Sequence, residues 1–130
     1  MQIVQGTVEE SFDGIRIRYN KQLYDFKDLL SDLAIFTSGF IYTKDKSLAT
    51  YMEDISRMLV HRAETLKELD IEPALLKDIS MRLRDMVSKC IVEVEQDKGT
   101  DTCFAVLRSI DVLKDFIIIK GYEKGLIEYK

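Results

Sequence analysis

The chain has 130 residues, 46% of them hydrophobic and 32% charged, with a formal net charge of −4. That length buries a core without disulfides or metal, and an acidic balance with no clustered basic patch disfavours a nucleic-acid partner. Six glycines and the single proline Pro73 are too little turn chemistry for an all-β fold, and no run approaches the roughly eighteen apolar residues of a membrane span.

The N-terminal MQIVQGTVEE has neither the basic region nor the apolar run of a secretory signal. With Cys90 and Cys103 as its only cysteines, the chain reads as a reduced, cytoplasmic protein.

From Val8 the apolar residues recur at steps of three and four: Val8, Phe12, Ile15, Tyr19, Leu23, Phe26, Leu30 and Leu33, then Phe40 after the polar Thr37. Such spacing marks one face of an α-helix. It predicts a first helix over residues 8–38, capped by Thr7 with Glu10 and closed at Gly39. A rival reading takes Asp13-Gly14 as a type I′ turn, with Phe12 opposite Ile15 and Glu9 opposite Arg18. The helix is preferred because the stripe keeps its phase over residues 8–23, because Gly14 costs only about 1 kcal/mol there, and because a lone hairpin is marginal in water.

A second helix is predicted over residues 47–69, through Leu48, Met52, Ile55, Leu59, Ala63, Leu66 and Leu69. A third begins near Pro73, whose fixed φ suits a first turn. It carries Leu76, Ile79, Leu83, Met86, Cys90 and Val94 to a stop at Gly99. A fourth starts at Thr100 or Asp101 and passes through Phe104, Leu107, Ile110, Leu113 and Ile117 to Gly121 or Gly125. The run Phe116-Ile117-Ile118-Ile119 is apolar all round, so a helix there needs cover on more than one face. Periodicity assigns nothing to residues 126–130.

Short connections make successive helices antiparallel. The expectation is one all-α domain over residues 1–130, an antiparallel up-down four-helix bundle with a long first helix. The excess length leaves part of the first stripe uncovered. Burying Phe12, Ile15 and Tyr19 against a second copy, at roughly 1.5–3 kcal/mol per large side chain, predicts a homodimer.

Candidate chemistry is sparse. Asp25, Asp28 and Asp32 share one helical face, as do Asp111 and Asp115, and Asp-x-x-x-Asp spacing can chelate a hard cation such as Mg²⁺. These residues resemble the acidic motif of PhoU-like metal-binding bundles, which implies Mg²⁺-dependent phosphate handling. A solvated acidic face, paired with Lys21 and Lys27, accounts for the same residues.

Glu9-Glu10-x-x-Asp13 with Asp25-x-x-Asp28 resembles the acidic pattern of all-α nucleoside triphosphate pyrophosphohydrolases. Here aspartates stand at two of that pattern's glutamate positions, and both groups fall on one predicted helix. Arg57 and His61, the only histidine, share a helical face and resemble the Arg–His pair of HEPN-type ribonucleases at a spacing one residue short. No Glu-x-x-His occurs, which excludes the di-iron carboxylate signature.

Cys90 lies on an inward stripe and Cys103 in a first helical turn, where a thiolate is stabilised. A disulfide between them is not expected, because their distances from the intervening turn differ by about a helical turn. No Gly-rich phosphate loop, His-Glu-x-x-His or Gly-x-Ser-x-Gly is present. The expected function is a non-enzymatic interaction or scaffolding protein without cofactor. The alternative is the Mg²⁺-dependent phosphate-handling protein using Asp25, Asp28, Asp32, Asp111 and Asp115.

Overall fold

The computed structural model describes residues 6–129, apart from the side chains of residues 67 and 68. Two strands come first, β1 (Thr7–Phe12) and β2 (Ile15–Asn20). They are joined by Asp13 (φ 52°) and Gly14 (φ 81°), the two left-handed residues that a type I′ turn requires. Four helices follow: α1 (Lys21–Thr43), α2 (Lys46–Thr65), α3 (Pro73–Glu95) and α4 (Asp101–Glu123), with a 3₁₀ turn at Leu66–Leu69. A short strand β3 (Ile127–Tyr129) completes an antiparallel sheet in the order β1-β2-β3. The protein is mostly helical, but the strands mean it is not purely all-α.

The helix predicted over residues 8–38 is corrected at its first half, which is the hairpin. Its register pairs Phe12 with Ile15 and Glu9 with Arg18. A two-residue turn moves the inward-facing set from even numbers on β1 to odd numbers on β2. Val8, Phe12, Ile15 and Tyr19 therefore share one sheet face at steps of four, three and four, the steps a helix also gives. What decides against the helix lies far away in sequence. Strand β3 pairs Ile127 with Tyr19 and Tyr129 with Ile17, and the Asn20 N–H donates to the Leu126 carbonyl at 2.7 Å. Three strands resting on helices escape the marginality of a lone hairpin.

Helix α1 begins where the sheet ends. Asn20 Oδ1 accepts from the Leu23 N–H at 3.2 Å, an N-cap that keeps the chain from continuing as strand. The helix runs past Gly39 to Thr43 and ends at a left-handed Lys44. Asp45 caps α2 through the Ser47 N–H at 2.9 Å. The helices have 23, 20, 23 and 23 residues, so the expected long first helix is also corrected.

Each helix packs on its successor and α4 returns to α1, while the sheet rests on α1 and α4. The buried stripe of α1 is Leu23, Phe26, Leu30, Leu33, Thr37 and Phe40, as its spacing predicts. That of α4 is Cys103, Val106, Ile110, Leu113, Ile117 and Gly121. Its start is shifted by one residue from the predicted line, which turns Phe104 outward. Gly121 is the most tightly enclosed of the glycines: a Cβ there would stand 2.5 Å from Leu23 Cδ2 and 2.9 Å from Ile127 Cδ1. The absence of a side chain lets β3 lie against α4.

Cys90 and Cys103 form a disulfide tying α3 to α4, with Cα atoms 5.0 Å apart, against the expectation of two thiols. The link between the helices is asymmetric. The N–H groups of Asp97 and Lys98 bond back to Val94 and Glu93, and Asp97 and Gly99 are left-handed. The unequal offsets of the two cysteines are absorbed there. Among the described residues no helix is long and apolar enough to cross a membrane.

Candidate functional site

The carboxylates singled out in the sequence do not converge. Lys21 Nζ holds both oxygens of Asp25 at 3.2 Å, Asp32 is half-buried, and Asp28, Asp111 and Asp115 are exposed. Among the described residues no group of three or more His, Cys, Asp or Glu side chains is placed to hold a metal ion. The second acidic pattern is divided by the sheet. Glu9 lies on the outer face with Arg16 at 2.7 Å, Asp13 forms the turn, and Glu10 points inward.

Arg57 and His61 line a groove of about 750 Å³ with Asp54, Met58, Arg62 and Thr65. All six residues stand on α2, and Arg57 pairs with Asp54 one turn away. A general base needs a second group to orient it, and the residues described along this groove bring none from another element.

Glu10 is the centre of a polar cluster between hairpin and helix. Tyr19 Oη donates to its carboxylate at 3.0 Å, and Lys27 Nζ lies 3.6 Å from it. The same ammonium sits 5.3 Å and 5.0 Å from the ring centroids of Tyr19 and Tyr24, a cation–π clamp between two rings. Burial, then the hydrogen bond to Glu10, pushes the Tyr19 phenol above its ordinary range. Burial, then the Glu10 and Asp28 charges, does the same to Tyr24. The cluster latches the hairpin to α1 and corrects one expected interface residue: Tyr19 is 5% exposed and covered within the chain. Phe12 (71%) and Ile15 (48%) remain exposed at the hairpin tip.

What remains is a surface. The most exposed large apolar side chains are Tyr42 (85%), Phe12, Val112 (68%) and Ile35 (66%), followed by Ile119, Tyr122 and Tyr129. All belong to the sheet, α1 or α4. On α1, Phe36 stacks on Tyr51 of α2 and Gly39 approaches Leu48. The opposite flank, with Tyr24 and Lys27, lies under the hairpin. Ile35 and Tyr42 fall within about 20° of Tyr24 around the helix, on the outward arc between these two flanks. On α4, Gly121 faces Leu23 of α1 and Ser109 meets Met86 of α3, which leaves Phe104, Arg108, Asp111, Val112, Asp115 and Ile119 on the outward arc. Arg108, Asp111 and Asp115 make no ion pair among the described residues.

Stripe-finding misses these positions because it keeps only apolar residues in phase with the core. The usable signal is the opposite one, apolar residues out of phase on α1 and α4. Comparison with protein-family models, with curated proteins and with solved structures finds no match.

Proposed function

We propose that this chain is a non-enzymatic interaction or scaffolding protein, built as a single antiparallel up-down four-helix bundle. Its working surface is the outward side of α1 and α4 with the hairpin tip. The bundle reading is supported by the ring of helix contacts, by Gly39 near the end of α1 beside Leu48 near the start of α2, and by Gly121 near the end of α4 beside Leu23 near the start of α1. One observation carries the function: nine of the fourteen exposed large apolar residues among the described ones, including the seven most exposed, lie on the sheet, α1 or α4, against five (Tyr51, Met58, Leu75, Met81 and Val92) on α2 and α3. Exposed apolar surface gathered on one side of a small protein marks an interaction site.

A thermal-melt series with Mg²⁺, Mn²⁺, phosphate and nucleotides tests this. A ligand at about a hundred times its dissociation constant adds roughly 2.7 kcal/mol, several degrees for a chain of this size. A flat series is expected. A Mg²⁺ or Mn²⁺ shift abolished by Asp28→Asn and Asp111→Asn overturns the scaffold in favour of phosphate handling. A cytoplasmic location belongs to the same proposal and requires Cys90 and Cys103 to be reduced in the cell, since reducing compartments keep thiols open; thiol labelling during lysis tests it.

A further inference from the structure

The outward arc of α4 is self-complementary toward its two ends, while at its centre Asp111 and Val112 exchange places. Reading along it, Phe104, Arg108, Asp111, Val112, Asp115 and Ile119 fall within about 100° of one another around the helix axis. Reversed about the Asp111–Val112 bond, Phe104 takes the place of Ile119 and Arg108 that of Asp115. An antiparallel copy of α4 laid on this arc therefore sets each Arg108 against the other copy's Asp115, twice, and each Phe104 against the other's Ile119, twice. Two-fold interfaces require this self-complementarity, since one patch must serve as both surfaces.

Arg108 and Asp115 are exposed and without an ion pair among the described residues, so both are open to the pairing this register gives them, whereas Asp111 gains no cation from it. Nine large apolar side chains on the sheet, α1 and α4 are exposed. Four of them, Phe104, Val112, Ile119 and Tyr122, stand on α4; at roughly 100 Å² of outward area each, these supply about half of the 800 Å² per partner of a standard interface.

We infer that the occupant of this surface is a second copy of the chain, docked through α4 against α4 about a two-fold axis at Asp111–Val112. This rests on the interaction reading above and names its partner. The chain thus forms an isologous dimer in which Arg108 and Asp115 set the register and the apolar residues of α4 supply about half of the area of a standard interface.

Sedimentation equilibrium of the full chain across the micromolar range is the test, with helical circular dichroism as the check that each variant folds. The expected mass is twice the 15.1 kDa of one chain. Arg108→Asp alone, or Asp115→Arg alone, sets two pairs of like charges face to face and should weaken the dimer by roughly a hundredfold. The double variant Arg108→Asp/Asp115→Arg restores opposite charges and should recover most of that affinity. Val112→Cys, beside the axis, should give a covalent dimer under mild oxidation. A 15.1 kDa species throughout overturns the dimer while leaving the ligand-melt test of the scaffold standing. A dimer indifferent to the single reversals, or one the double variant does not rescue, overturns this interface.

Discussion

The α2–α3 side and the α1–α4 side of the molecule solve the same packing problem with different surfaces. On α2 and α3 the outward positions carry short-range ion pairs, Arg57 with Asp54, Arg82 with Asp78 and Lys89 with Glu93, and Lys77 reaches across to Glu64. Their exposed apolar residues, Tyr51, Met58, Leu75, Met81 and Val92, are each less exposed than Tyr42, Phe12, Val112 or Ile35 and are interspersed with these pairs. On α1 and α4 apolar residues continue around the helix, and the sheet covers only part of the excess. Phe116 and Ile118 are partly covered, Ile117 is buried, and Ile119 is exposed. The lesson is that out-of-phase hydrophobicity concentrated on two adjacent helices marks a second layer, part of which the chain supplies itself.

The difference can be broken first at the bond that joins the two sides. Reducing Cys90–Cys103, or replacing both with serine, opens a link between residues 13 apart in sequence and should lower unfolding free energy by about 3 kcal/mol. Chemical denaturation with and without reductant measures it; no change would mean that the α3–α4 packing alone suffices. Next comes the seat of the sheet. Gly121→Ala drives a methyl into Leu23 and Ile127 and should cost roughly 1–3 kcal/mol by overpacking. Hydrogen exchange should rise in β3 and β2 before it rises in α2 and α3.

A smaller effect of opposite sign is expected inside α1. Thr37 is fully buried and its hydroxyl has no hydrogen-bond partner. Thr37→Val keeps the shape and removes the orphaned group, so it should stabilise the fold by about 1 kcal/mol, read as a higher melting temperature.

The smallest effect sharpens the hairpin latch. A phenol held above its ordinary pKa of 10.0 stays protonated in the folded state while the unfolded chain ionises. Its contribution is therefore complete below pH 10 and is lost as pH rises beyond it. Stability should fall above pH 10, and Tyr19→Phe should flatten that fall, as followed by denaturation at several alkaline pH values. At the other helix start, Asp45 is held below the usual carboxylate range by the Ser47 N–H and hydroxyl. Its capping contribution is thus present above pH 4 and fades as pH drops. The melting-temperature gap between the protein and Asp45→Ala should close in acid.

Much of the fold was legible. The buried residues of α1 from Leu23 onward and the start of α3 at Pro73 follow from spacing and end chemistry, because burial of one face and a proline's fixed φ are local demands; α4 starts at Asp101 as expected, but Thr100 makes no side-chain cap bond there. The candidate surface was legible only in part: Phe12 and Ile15 were found through the wrong element. Ile35, Tyr42 and Val112 lie off the core stripes, and Tyr19, expected at an interface, belongs to β2 and turns inward between the hairpin and α1.

Sequence alone determined that this chain is mostly helical, where four amphipathic stripes run, and that Asp13-Gly14 could turn. Only the tertiary structure decided that it does turn. The four-three-four spacing of Val8, Phe12, Ile15 and Tyr19 fits a helix face and a hairpin face equally, and the third strand that breaks the tie lies more than a hundred residues away, at Ile127–Tyr129. The Cys90–Cys103 bond was decided the same way, by the path of the chain between α3 and α4, because the distance between two side chains on separate helices is a property of their packing and not of their number of intervening residues.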